Sequence, residues 1–315
     1  MIITNTTQIE SEKLLNLKFN LSFYGCGYEK RSAYLYKLLN VNLLNNFVLA
    51  FGANQDKNFI ENLNLFKENP NNNIIISDGE KDIDIYNSLN DFLKEQKSKE
   101  EINILIDYSS MTKIWMSAFL KYLVSFNSEN ISRVNLYYSY SHSKFSIPTQ
   151  ASKHGISVMP MDGFCKLSLP DKPTALIIGL GYDKNMATGL SQYLDAESYI
   201  FHTDNSYSNK YRTSVLDENV DLLREVKEEN IYEFPILDIN YTQSILHSLL
   251  TDLLQTNRIV LAPCGPKIFT LLCLVESLIL DNVDVWRISS SVSTEKIIDK
   301  LPDGKISVLK ITFEN

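Results

Sequence analysis

Short, almost unbroken apolar runs recur along the chain, separated by segments of helical period and by polar turns. In the first half they are NLSFYGCG (20–27), NFVLAFGAN (46–54), NNIIIS (72–77), INILIDYS (102–109) and RVNLYYSY (133–140). The second half repeats the series as ALIIGLG (175–181), SYIFHTDN (198–205), NIYEFPI (230–236), RIVLAP (258–263) and VDVWRIS (283–289). A strand with water on one face alternates apolar and polar residues. A continuous run reads instead as a strand covered on both faces, as in a parallel sheet flanked by helices. Segments 32–39, 84–95, 187–194 and 242–254 supply such helices. The pattern predicts an α/β protein of two tandem Rossmann-like domains with mostly parallel sheets, pseudo-two-fold related. The polar, proline-containing stretch CKLSLPDKPT (165–174) precedes the second series and predicts domains at 1–165 and 166–315.

The two series share more than their order. FYGCGYEKR (23–31) returns as IIGLGYDKN (177–185), so Gly25, Gly27, Tyr28 and Lys30 match Gly179, Gly181, Tyr182 and Lys184 at an offset of 154 residues. An acid, Glu29 or Asp183, precedes the lysine in both. Lys113 meets Lys267 at the same offset of 154. Two motifs in one register are much harder to obtain by chance than either alone, which points to an internal duplication.

Composition narrows the class. At 315 residues the chain exceeds one typical domain, and 44% hydrophobic with 22% charged residues is ordinary for a globular protein. A net charge of −8 argues against general nucleic-acid binding and leaves room only for a local basic pocket. Cys26, Cys165, Cys264 and Cys273 are scattered, as are His142, His154, His202 and His247, so no metal-ligand spacing appears and no cofactor is implied. The start of the chain lacks a basic region before an apolar run, and the apolar stretch 268–280 is short and carries Glu276. It reads as a core helix and not a membrane span, and a cytoplasmic location is the default expectation.

In open α/β sheets the turns after strands one and four lie side by side beyond the carboxyl ends of the strands, where ligands bind. The halves resemble each other most at these two turns. In the first, Gly25 and Gly27 let backbone N–H groups approach an anion at a helix start. Lys30 and Lys184 stand where the dinucleotide fingerprint has its third glycine, which weakens an NAD reading and favours a charge contact. Tyr28, Glu29, Arg31, Tyr182 and Asp183 complete the candidate turns. The plainer alternative is a tight strand-to-helix turn with solvated charges.

The second turn runs Asp107-Tyr108-Ser109-Ser110-Met111-Thr112-Lys113. Hydroxyls and a lysine at a helix start suit a phosphate or carboxylate, and Asp107 can bind a ribose hydroxyl or act as a base. Equally, Ser110 or Thr112 can cap the helix. The second half has APCGPK (262–267), which keeps Lys267 but lacks the acid and hydroxyls, so any chemistry belongs to the first half. Asp107, Ser109 and His142 are its catalytic candidates. Cys264, at a helix start that favours a thiolate, and Arg287 are candidate contacts of the second half. Tyr137, Tyr138 and Tyr140 can stack on a base or pack beneath a helix.

With turns of this kind, and above all SSMTK (109–113), the chain resembles the CARF family, the CRISPR-associated Rossmann-like sensors of cyclic oligonucleotides. The resemblance implies ligand contacts from the turns after strands one and four, with two domains sharing one ligand. A fused pair would be the single-chain equivalent of the family's dimer. No appended nuclease or helix-turn-helix segment is recognisable, so the resemblance implies a stand-alone sensor, a sponge or a ring-cleaving enzyme. Three functions follow. The first is a sensor in a defence or signalling system, binding a nucleotide or other phosphorylated small molecule in a cleft formed by these turns. The second is a hydrolase or transferase acting on a nucleotide or phosphosugar in the first half. The third is a non-catalytic scaffold with a protein partner or a second copy of itself.

Overall fold

A computed structural model describes residues 1–39, 45–52, 56–96, 99–146, 153–166, 171–182, 186–292 and 300–315. The first part of the chain forms β1 (Ile2–Ile9), α1 (Ser11–Leu14), β2 (Leu21–Cys26), α2 (Tyr34–Leu39), β3 (Asn46–Phe51), α3 (Lys57–Lys67), β4 (Asn72–Ser77), α4 (Ile83–Lys94), β5 (Lys99–Asp107), α5 (Lys113–Ser125) and β6 (Ile131–Ser143). Next come β7 (Lys153–Pro160), β8 (Thr174–Gly179), α6 (Met186–Leu194), β9 (Glu197–Thr203), α7 (Asn209–Glu218), α8 (Val220–Glu225), β10 (Ile231–Phe234), α9 (Ile239–Leu253), β11 (Arg258–Pro263), α10 (Lys267–Ile279) and β12 (Val283–Val292). The chain closes with β13 (Pro302–Glu314). All ten apolar runs are strands.

Among the described residues the strands form two sheets, ordered β1-β13-β6-β5-β2-β3-β4 and β10-β9-β8-β11-β12-β7. Within each lies the same five-strand parallel core, β4-β3-β2-β5-β6 or β10-β9-β8-β11-β12. Order reverses beside β2 in one and β8 in the other, which sets both glycine turns at a switch point. The duplication is also visible in the helices. Both α5 and α10 span 13 residues and begin on the repeated lysine, Lys113 or Lys267. Ten consecutive residues of α10, Ile268 to Ser277, are buried, so it is a core helix. No described helix is long and apolar enough to cross a membrane.

The chain divides into two compact units, Met1–Ser146 with Ile297–Asn315, and Ile147–Lys296. This is not the tandem division at 165/166. β7, the strand after β6, pairs antiparallel with β12 of the second unit. β13, the strand after β12, returns to pair antiparallel with β6 of the first. The chain passes from one unit to the other twice, between β6 and β7 and between β12 and β13. Each half therefore gives its last strand to the other half's sheet, an exchange of the domain-swap kind within one chain. Backbone pairing across the chain places the division, and the local breakers near residue 165 do not.

Candidate functional site

Both glycine turns are held by a buried asparagine. Asn62 of α3 donates from Nδ2 to the carbonyls of Gly27 (2.9 Å) and Glu29 (3.0 Å). Asn219, where α7 meets α8, donates to Gly181 (2.9 Å) and to Val215 (2.8 Å). Neither asparagine belongs to the repeated motif, and the signal that marks them is an amide on the core face of an amphipathic segment. The motif's tyrosines, Tyr28 and Tyr182, are half-buried and pack against the hydrophobic core of their own unit. Packing alone accounts for keeping them.

The turn pairs then differ. In the second unit they interlock through main chain. Cys264 N–H donates to Gly179 O (2.9 Å). A Cβ on Gly181 would lie 2.2 Å from Cys264 O, and one on Gly265 would lie 2.1 Å from Leu180 O. Here glycine serves close approach of backbone to backbone. In the first unit Ser32 Oγ closes the first turn on itself, donating to Gly25 O (2.7 Å) and accepting from Gly27 N–H (2.9 Å). A side chain, Ser110, fills the gap to the second turn. A Cβ on Gly27 would meet Ser110 Cβ at 3.0 Å and Oγ at 3.3 Å. Ser110 is 8% exposed, and its buried hydroxyl has no hydrogen-bond partner among the described residues.

Around this hydroxyl the candidates separate. Lys30 is exposed, and Lys113 is half-buried as the first residue of α5. Thr112 is the helix N-cap, accepting from Trp115 N–H (3.1 Å) and donating to Gly79 O (2.7 Å). Arg31 is only 2% exposed. Its Nε donates to Glu29 Oε2 (2.6 Å), and Nη1 donates to Tyr140 Oη (2.7 Å) and Ser141 O (3.0 Å). Burial opposes its charge, but Tyr140 and Glu29 outweigh burial and raise its pKa. Glu29 also holds a cation from far along the chain, with Lys300 Nζ 3.0 Å from Oε1. Arg31 N–H donates to Lys300 O (3.1 Å), so backbone and side chain both tie this turn to the segment leading into β13.

The catalytic candidates occupy the frame behind the turns. Ser109 Oγ donates to Asp107 Oδ1 (2.5 Å) and accepts from Ser141 N–H (2.8 Å). Both residues are buried, and the pair fastens the end of β5 to β6. His142, also buried, meets Ser307 Oγ at 2.8 Å. Tyr137, Tyr138 and Tyr140 lie in the core, with Tyr138 Oη donating to Met116 O (2.8 Å). All three are buried, Tyr138 against Phe119 of α5, and present no face for a base. In the second unit Cys264, Lys267 and Arg287 are half-buried, with Arg287 on β12 opposite Met159 of β7. Asp183 and Lys184 lie outside the described residues.

Burial lowers the His142 pKa to about 4; Asp303 opposes the shift, while Arg31 and Lys305 add to it. The ring is neutral in the folded protein, whereas an unfolded chain protonates it near the ordinary 6.5. Stability is therefore complete above that ordinary value and falls with pH through the window down to the folded pKa. The loss reaches up to about 3 kcal/mol. Urea unfolding at neutral and mildly acidic pH should show this slope, and His142→Gln should flatten it. An unchanged slope in the variant assigns the acid sensitivity to other groups.

The chain matches no known family model, and no curated protein matches it.

Proposed function

We propose that the protein is a sensor-type module that binds a phosphate-bearing small molecule, of the nucleotide or cyclic-oligonucleotide class, at the turn pair of the first unit. The observation that carries this reading is the buried, unpartnered hydroxyl of Ser110 between Gly27 and the N-terminus of α5. A hydroxyl excluded from water without a partner is costly, and an anion oxygen at the helix N-terminus would satisfy it. Lys113, at the head of that helix, and exposed Lys30 supply positive charge at the carboxyl ends of the strands. The commitment of Ser109 to both Asp107 and Ser141 favours binding over hydrolysis, because the hydroxyl is buried and ties two strand ends together.

Calorimetric titration with a panel of linear and cyclic nucleotides tests the proposal. Binding is expected, weakened tenfold or more by Lys113→Ala and to a lesser degree by Ser110→Ala. Absence of binding across the panel, or binding indifferent to both substitutions, overturns it. Recovery of the nucleotide intact after long incubation distinguishes a sensor from a ring-cleaving enzyme.

A further inference from the structure

We infer that Lys300, carried by the segment leading into β13, is a working part of the first unit's anion site and keeps it electropositive by neutralising Glu29. The inference rests on the proposed binding of a phosphate-bearing molecule there.

Glu29 presents a difficulty for any anion site built on its turn. It lies between Tyr28 and Lys30, and its side chain is 13% exposed. A carboxylate so poorly hydrated would repel a phosphate brought to the same turn. The structure gives each carboxylate oxygen its own cation, Oε2 to Arg31 Nε at 2.6 Å and Oε1 to Lys300 Nζ at 3.0 Å. The two cations are not equivalent. Arg31, with a side chain 3% exposed, spends its guanidinium on Glu29, Tyr140 and Ser141 and is fixed in the interior. The Lys300 side chain is 37% exposed. Lys300 therefore carries the second positive charge against Glu29 at the more exposed side of the turn, which leaves the turn net positive. The Arg31 N–H bond to the Lys300 carbonyl fixes where the lysine starts from. Lys300 lies outside both repeated motifs and reaches the turn only because β13 returns to pair with β6.

The experiment is titration of inorganic tripolyphosphate, and of a nucleotide bound in the panel above, into wild type, Lys300→Ala, Lys300→Arg and the double variant Glu29→Gln/Lys300→Ala. A melting curve for each establishes that it is folded. Lys300→Ala is expected to weaken both ligands about tenfold and Lys300→Arg to bind nearly as wild type. The double variant is expected to recover most of the loss, because no carboxylate then remains to be neutralised. Unchanged binding by Lys300→Ala overturns the inference while leaving the proposed site standing. So does a double variant no better than the single one. If wild type binds neither ligand, the anion site itself fails and the inference falls with it.

Discussion

Gly181→Ala is expected to destabilise the protein by about 4 kcal/mol or more, against about 1–2 kcal/mol for Gly27→Ala at the matching position of the repeat. The cause lies in what each new methyl would meet. At Gly181 it would stand 2.2 Å from the carbonyl oxygen of Cys264. That atom belongs to a main chain already tied by the Cys264 N–H bond to Gly179, so relief requires moving the two turns apart. At Gly27 the methyl would meet the Ser110 side chain at 3.0–3.3 Å. A small side chain can give by a few tenths of an ångström or change rotamer. The chain has two tryptophans, Trp115 stacked on Phe51 in the first unit and Trp286 packed at the core of the second. Single-tryptophan backgrounds therefore report each unit, and Gly181→Ala should lower the Trp286 transition first. Equal costs at the two glycines would refute the claim that the turns are built differently.

Arg31→Ala is expected to cost about 4 kcal/mol, in the range typical of breaking a buried ion pair from one side. The substitution leaves Glu29 with Lys300 as its remaining cation. It also removes the donor from Tyr140 Oη and from the Ser141 carbonyl. Arg31→Lys should recover less than half of the loss, because one ammonium cannot reach three acceptors that a planar fork spans. Glu29→Gln combined with Arg31→Met should cost less than the sum of the two single changes, since the first removes the buried charge that the second would leave less well compensated. Urea unfolding of wild type, the two single variants and the double variant measures this, and strict additivity would show that the pair does not act as a unit.

Arg31 also shows where reading the sequence runs out. Its position beside a glycine turn and its charge predicted a ligand contact, because arginine is rarely buried. Nothing local tells that Tyr140, on a strand far along the chain, supplies a partner. The strands themselves were legible, since an unbroken apolar run such as ALIIG identifies itself. So was the duplication, whose two lysines each begin a 13-residue helix. β1 was not. Its sequence IITNTTQI is mostly polar, and as an edge strand it has β13 as its one neighbour in the sheet. The domain division was misplaced for a related reason, because strand pairing is a property of two distant segments. Within the site, Ser110 and Thr112 were both singled out with capping as the alternative. The structure separates them, giving the cap to Thr112 and leaving the Ser110 hydroxyl unpartnered. Lys300 was invisible, since only the returning strand brings it to Glu29.

The exchange of last strands bears on how the protein is made. β6 leaves the ribosome before any residue of the second unit, and its antiparallel partner β13 follows only after that unit is complete. Through that interval a 13-residue strand holding Tyr137, Tyr138 and Tyr140 keeps one long edge open. Open edges of this kind recruit strands from other chains. β7 faces the opposite delay, emerging before any strand of the sheet it will join. Until β13 arrives, the nascent chain is therefore expected to be open to misassembly at that edge.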